Sequence, residues 1–116
     1  MANDFQTKTL KVTTTETDIV PVYTTGEVTV HAIFIANIVA TDQWITLAIY
    51  DGAGTDEVNR QAYILFQTLI PSKNTMLIEK PINLDTSITT TSQRRIRAIA
   101  QSNASIEITA SVLVIT

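Results

Sequence analysis

The stretch of the sequence that most resembles a chemical site is DGAGTDE, residues 51–57. Three carboxylates around two glycines suggest a calcium loop, but an EF-hand needs oxygen ligands at alternating positions and a glutamate at position 12. Ala53 stands where the second ligand would fall. Asp-Gly directly after the apolar run ITLAIY is instead typical of a turn, because Gly52 and Gly54 can adopt positive φ. We therefore predict a turn that widens into an exposed loop; calcium binding remains the alternative.

A second candidate is the basic run RRIR at residues 94–97, which holds three of the eight basic residues. In a strand, Arg95 and Arg97 would lie on one face. Guanidinium groups form paired hydrogen bonds with carboxylates, whereas binding to single-stranded nucleic acid would need interleaved aromatic residues, which are absent here. The run indicates a solvated face, an ion pair within the chain, or an ion pair with a neighbouring subunit.

The other candidates are single residues. His31 is the only histidine, so no multi-histidine metal site is possible, and we expect it to contact solvent or an interface. Trp44 could stack on a sugar ring, although a lone tryptophan is more often a core or interface residue. Asn103 begins a glycosylation pattern that, without a secretory signal, we interpret as a turn. With no cysteine and no recognisable nucleophile, we predict no cofactor, no metal and no enzyme activity.

The amino-acid composition restricts the kinds of partner that this protein could bind. A net charge of -3 and a pI near 4.9 argue against nucleic-acid binding. Charged residues make up 16%, against roughly 25% in typical soluble domains, which suggests that part of the surface is hidden against neighbours. The first residues lack the pattern of a signal peptide, and the apolar run at 32–40 is too short to span a bilayer. We predict synthesis in the cytoplasm and no membrane association.

The elements that would position these residues are strands. Threonine, isoleucine and valine total 45 of 116 residues, and such β-branched side chains favour strands over helices. Period-two alternation, as in ASIEITASVLVI, recurs along the chain. We predict one antiparallel β-sandwich, jelly-roll-like or Ig-like, of about eight strands near 5–13, 18–24, 28–39, 43–50, 61–70, 75–84, 94–101 and 105–115. Turn-prone clusters at 24–27, 51–54, 71–74 and 102–105 separate them.

Two of these strands differ from the rest because they are apolar on both faces: VHAIFIANIV at 30–39 and YILFQTLI at 63–70. One face of each would pack in the sandwich core. The second face must be covered by another layer, a loop or another subunit. We favour a subunit contact; central strands with ordinary exposed aliphatic groups are the alternative.

Three stretches together resemble small β-sandwich virion proteins of tailed bacteriophages, of the capsid decoration or cement type: IFIANIVATDQWITLAIYDG (33–52), LIPSKNTMLIEKPINLD (69–85) and RIRAIAQSNASIEITASVLVI (95–115). The resemblance covers residues 28–116. Residues 1–27 are interpreted as a polar N-terminal arm or as edge strands of the same domain. Such proteins commonly carry a short acid-Gly-Asp corner where this chain has TTTSQRR, so the geometry of that corner does not transfer.

The resemblance implies a non-enzymatic protein on the capsid surface that oligomerises, with a trimer favoured, and binds the major capsid protein. Candidate residues of the subunit or lattice interface are Ile33, Ile35, Trp44, Tyr63, Phe66, Arg95 and Arg97. A tail, neck or fibre subunit would share the fold. A carbohydrate-binding module using Trp44, Tyr50 and Tyr63 is a further alternative.

Overall fold

The computed structural model describes residues 3–21, 23, 27–51, 60–84 and 94–115. These ranges contain nine strands and no helix, and hence none long and apolar enough to cross a membrane. The strands are β1 (Asn3–Lys11), β2 (Thr17–Val20), β3 (Glu27–Asn37), β4 (Gln43–Asp51), β5 (Arg60–Ile70), β6 (Thr75–Ile78), β7 (Ile82–Leu84), β8 (Arg94–Ala100) and β9 (Ile106–Ile115). The turns expected at 24–26 and 52–57 and the corner at 89–93 lie outside the described residues.

The strands form two antiparallel sheets that pack face to face. The first sheet has the order β1-β9-β3-β6, with β7 also pairing with β3, and the second has the order β2-β8-β4-β5. The pairs are nested along the chain: β1 with β9, β2 with β8, β3 with β6 and β7, and β4 with β5. The chain is therefore arranged as one long antiparallel hairpin folded over itself into two layers.

This connectivity confirms the predicted β-sandwich and identifies it as a jelly roll. In an Ig-like sandwich, the first two strands pair within one sheet. Here β1 and β2 lie in different sheets, and the chain changes sheets again at β3, β4, β6, β8 and β9. With β6 and β7 counted as one interrupted strand, eight strands in two four-stranded sheets form the jelly-roll arrangement.

The strand predicted at 75–84 is interrupted. β6 pairs with β3 at Ile33–Ala36, and β7 pairs with β3 at Val28–Val30. Residues 79–81 separate them, and Pro81 has no N–H group to donate to a strand neighbour. The break gives nine strands in place of the eight expected.

The core between the sheets consists of aliphatic side chains. β9 shows its origin most simply: residues 106, 108, 110, 112 and 114 are buried, and the alternate residues are partly exposed. The largest fully buried side chains come from both sheets and include Ile33, Ile35, Ile45, Leu47, Ile96 and Ile108. Because each such side chain contributes about 1.5–3 kcal/mol on burial, this layer is the main stabilising element of the fold.

One buried polar residue fixes the end of β3. The Asn37 side chain, 2% exposed, donates from Nδ2 to the carbonyl oxygens of Thr41 and Ile70, each at 2.9 Å. Its Oδ1 accepts from the Val39 backbone N–H at 3.0 Å. A side chain that satisfies three backbone groups at once joins the end of β3 to the following bend and to the end of β5.

Candidate interaction surface

The structure separates the predicted interface residues into core and surface positions. Ile33 and Ile35 are both 0% exposed. They lie on the face of β3 that points between the sheets, so neither side chain reaches a surface where a neighbouring molecule could contact it. The outward apolar residue of this strand is Phe34, which lies between them and is 43% exposed.

Exposed apolar side chains are concentrated instead on β5, an edge strand of the second sheet. Tyr63, Phe66 and Leu69 are 42%, 58% and 55% exposed. The Tyr63 and Phe66 rings contact each other with centroids 4.7 Å apart, and the Arg60 guanidinium lies 4.3 Å from the Tyr63 ring centroid. Two of the predicted residues, Tyr63 and Phe66, thus belong to one exposed cluster.

Tyr63, Phe66 and Leu69 lie three positions apart in the sequence, and they share one face because β5 pairs irregularly with β4. In a regular strand, Tyr63 and Phe66 would point to opposite faces. The register between β4 and β5 shifts at three places, and each shift inserts an extra residue on β5. Gln67 takes a positive φ of 43° at one irregularity, where its N–H donates to Thr46 Oγ1 at 2.8 Å. The bulges rotate β5 so that all three apolar residues reach the outside.

Trp44 extends this cluster onto β4. It is the register partner of Leu69, and paired residues lie on one face of a sheet. Its backbone is fixed by Gln101, which accepts from the Trp44 N–H at 3.1 Å and donates back to the Trp44 carbonyl at 3.1 Å. The Trp44 residue is half-buried. We define the β5 patch as Trp44, Tyr63, Phe66 and Leu69.

Arg95 and Arg97 have a different role from the β5 patch, since both form ion pairs within the chain. Arg95 Nη1 lies 3.0 Å from both carboxylate oxygens of Asp18. Arg97 donates from Nε to Asp18 Oδ1 and from Nη1 to Glu16 Oε1, both at 3.0 Å. Only 10% and 12% of the two arginine side chains are exposed. Of the alternatives for this basic run, the structure shows the pair within the chain.

Tyr50 completes this ionic group. Its hydroxyl donates to Glu16 Oε2 at 2.8 Å, and its ring lies 5.5 Å from the Arg97 guanidinium. Burial raises the pKa of Tyr50, and the hydrogen bond to the Glu16 carboxylate raises the pKa further. Because Tyr50 is only 4% exposed, it cannot stack on a sugar with Trp44 and Tyr63.

The next question is whether the described acidic residues are grouped as metal ligands would be. Within the described ranges, no group of three or more histidine and carboxylate side chains is close enough to hold an ion. Asp51, the one residue of the DGAGTDE run that the structure describes, ends β4 with its Oδ1 3.8 Å from Arg94 Nε. His31 lies exposed at an irregularity of β3 between Val30 and Ala32.

No family model matches the chain, and no curated protein is significantly similar to it in sequence. Among solved structures, it is similar to a chain of the infectious bursal disease virus particle, with a TM-score of 0.55 and 9% identity. That match covers 97% of this chain and 30% of the viral chain. The tobacco streak virus coat protein matches with a TM-score of 0.40 and 11% identity over 98% of this chain and 86% of the other.

The likeness to the infectious bursal disease virus chain bears on the fold alone. The chain spans less than a third of the length of the first viral chain, and at 9% identity the likeness shows a shared jelly-roll arrangement of strands. Folds of this kind carry many unrelated functions. What this protein does must therefore be inferred from its own surface.

Proposed function

We propose that this protein is a non-enzymatic structural component of a virus particle, assembled through its outer surfaces. The observation that carries the proposal is the β5 patch, an exposed aromatic and aliphatic cluster on the outer face of a jelly roll. Exposed aromatic clusters of this kind are typical of protein interfaces. The similarity of the fold to part of a viral particle chain supports the same conclusion.

More specifically, we propose that the protein is a decoration or cement protein of a tailed-bacteriophage capsid. Such a protein would form a closed homo-oligomer, a trimer, on the capsid surface and contact the major capsid protein with several copies at once. Multivalent attachment raises the overall affinity without any single strong contact. A β-sandwich with few charged residues and an exposed apolar patch has the properties that this role needs.

Copy number tests this role directly. Quantitative mass spectrometry of purified particles would compare this chain with the major capsid protein. A ratio near the number of lattice positions supports decoration, whereas a few copies per particle indicate a neck, tail or fibre subunit. Absence from the particle contradicts the proposal.

The β5 patch can be tested separately by substitution. We expect Phe66→Ser combined with Leu69→Ser to abolish attachment to capsids in co-sedimentation, because both side chains are more than half exposed and available to a partner. Phe34→Ser is a matched control, since it removes an exposed aromatic ring from the other sheet. Equal attachment by the double variant and the wild type would show that another surface binds.

A further inference from the structure

A β-sandwich has four edge strands, and three of those in this protein carry features that prevent pairing with another chain. On the first sheet, β6 and β7 are short and separated by residues 79–81, which include Pro81. On the second sheet, β2 has four residues and a register shift. The other edge of that sheet, β5, has three register shifts and a positive φ at Gln67.

The fourth edge strand, β1, lacks such interruptions. It pairs with β9 at nine consecutive positions, from Asn3 to Lys11, without a register shift. Its sequence NDFQTKTLK contains no proline or glycine. The opposite side of β1 has no neighbouring strand in the sheet order of the described chain. A long, regular edge of this kind can pair with a strand of another molecule.

The hydrogen bonding beyond Lys11 shows which backbone groups of β1 are available. The Val12 N–H donates to the Ile106 carbonyl at 2.9 Å, and antiparallel pairs alternate between bonded and non-bonded positions. Even-numbered residues of β1 therefore bond to β9, and odd-numbered residues direct their backbone groups outward. The outward donors and acceptors are those of Asn3, Phe5, Thr7, Thr9 and Lys11.

We propose that β1 pairs antiparallel with β1 of a second copy of this chain, centred on Gln6, so that the first sheets of two molecules become continuous. In this register, Asp4 of each copy lies opposite Lys8 of the other, and Phe5 lies opposite Thr7. The charge pattern of β1 in one copy is thus complementary to that of an antiparallel β1 in the other. Opposite charges at facing positions stabilise a strand pair, whereas like charges destabilise it.

Charge selects this register over its neighbours. If the two-fold axis of the pairing passed between two residues, inward-facing side chains of one copy would lie opposite outward-facing side chains of the other. The axis must therefore pass through a residue. A centre on Phe5 would set Asp4 opposite Gln6, and a centre on Thr7 would set it opposite Leu10. Only the centre on Gln6 matches Asp4 with Lys8, and it does so twice because of the two-fold axis.

The proposed contact would also cover the most exposed large apolar side chain of the described residues. Phe5 is 74% exposed, and it lies on the outer face of the first sheet opposite Leu113. In the proposed register, the two Phe5 residues are diagonal neighbours on one face, about 7–8 Å apart and within reach of aromatic side chains. The pairing would therefore bury apolar area in addition to forming hydrogen bonds.

The symmetry of the contact limits its growth. An antiparallel pairing of β1 with itself is isologous and uses the free edge of both molecules, so this contact joins two copies and no more. The trimer proposed on the capsid would form through other surfaces. The other edges, which are interrupted, would not extend it. The inference goes beyond the proposed function and does not depend on it, because a two-fold contact through β1 uses a surface remote in the sheet order from β5.

Charge reversal tests the contact and its register together. Sedimentation velocity of the purified full chain over a range of concentrations should show a monomer–dimer equilibrium. We expect Asp4→Lys or Lys8→Asp alone to weaken dimerisation about tenfold or more, because two opposite-charge pairs become two like-charge pairs. The double exchange Asp4→Lys with Lys8→Asp should restore it. Single variants that dimerise like the wild type would overturn the register.

A proline substitution tests the backbone contact. Thr7→Pro removes an N–H that faces outward, and proline is tolerated in an edge strand at such a position. We expect a folded monomer, with circular dichroism and thermal unfolding confirming the fold. A variant such as Phe5→Ser, which leaves the backbone intact, should weaken the dimer without unfolding the chain. A wild-type protein that is monomeric at all concentrations, or an oligomer that Thr7→Pro leaves unchanged, would overturn the proposal.

Discussion

Asp18 and Arg97 are register partners across the pair of β2 and β8, and their side chains meet with Oδ1 and Nε 3.0 Å apart. The same carboxylate accepts a second guanidinium, that of Arg95. β2 has only four residues, so it can form few backbone hydrogen bonds with β8. The shared carboxylate therefore adds to the buried Ile19 and Val20 side chains in holding this short edge strand to the second sheet.

Replacing this carboxylate should destabilise the fold. Asp18→Asn would leave two largely buried guanidinium groups without their shared anion, and we expect the free energy of unfolding to fall by about 1–3 kcal/mol. The matched control is Asp51→Asn, whose partner Arg94 is 39% exposed and 3.8 Å away. That change should cost less than about 1 kcal/mol. Urea unfolding measures both, and equal losses would contradict the assignment.

Tyr50 should make stability depend on alkaline pH. Its pKa is raised in the folded state by burial and by Glu16, above the ordinary value of 10.0. Its contribution is therefore fully present below about pH 10 and is lost as the pH rises further, because the unfolded chain releases the phenolic proton first. Urea unfolding between pH 8 and pH 11 should show a steeper loss for the wild type than for Tyr50→Phe. Tyr63→Phe, at an exposed position, should follow the wild type.

Replacing Asn37 by an acidic residue should destabilise the fold. Asn37→Asp has nearly the same shape but removes the two N–H donors that bond to the Thr41 and Ile70 carbonyls. It also places an ionised group at a site only 2% exposed. We expect a loss of at least about 2 kcal/mol in the free energy of unfolding at pH 7, with partial recovery as the pH falls and the new carboxyl group is protonated. A variant as stable as the wild type would exclude a structural role for these bonds.

The contrast between core and surface can be measured on two apolar residues. Ile35→Ala removes a side chain that is 0% exposed and should cost about 2–5 kcal/mol in unfolding free energy. Phe5→Ala removes a larger side chain that is 74% exposed and should change the stability of the monomer by no more than about 0.5 kcal/mol. Chemical denaturation at low protein concentration separates this effect from association.

The sequence predicts the layers of this fold well because alternation is a local property. The buried and exposed positions of β9 follow directly from the pattern of Ile106, Ile108 and Val112. The interruption of the strand at 75–84 was missed, although Pro81 is a local signal that could have indicated it. Alternation alone could not distinguish a jelly roll from an Ig-like sandwich, since that depends on which distant strands become neighbours.

The surface was harder to predict than the core, for two physical reasons. Arg95 and Arg97 were correctly placed on one strand, but their partners Glu16 and Asp18 are about 80 residues away and are brought near only by the pairing of β2 with β8. On β5, three register shifts replace the period of two by a spacing of three, so the common face of Tyr63, Phe66 and Leu69 is invisible to a search for alternation. Ile33 and Ile35 were predicted to lie at an interface because β3 is apolar on both faces. Both side chains lie on the face of β3 that packs in the core.

The nesting of the strand pairs also sets an order for folding during synthesis. The innermost pair, β4 with β5, has the shortest connection, and each outer pair closes a longer loop, so we expect pairing to proceed outward from the middle of the chain. Asn3 finds its partner only in Ile115, near the far end of the sequence. At about 5–20 residues per second, β1 waits on the order of 5–20 seconds after leaving the ribosome before β9 exists. For that interval, both edges of β1 are open to other nascent chains, and β9 covers one of them only when synthesis is nearly finished.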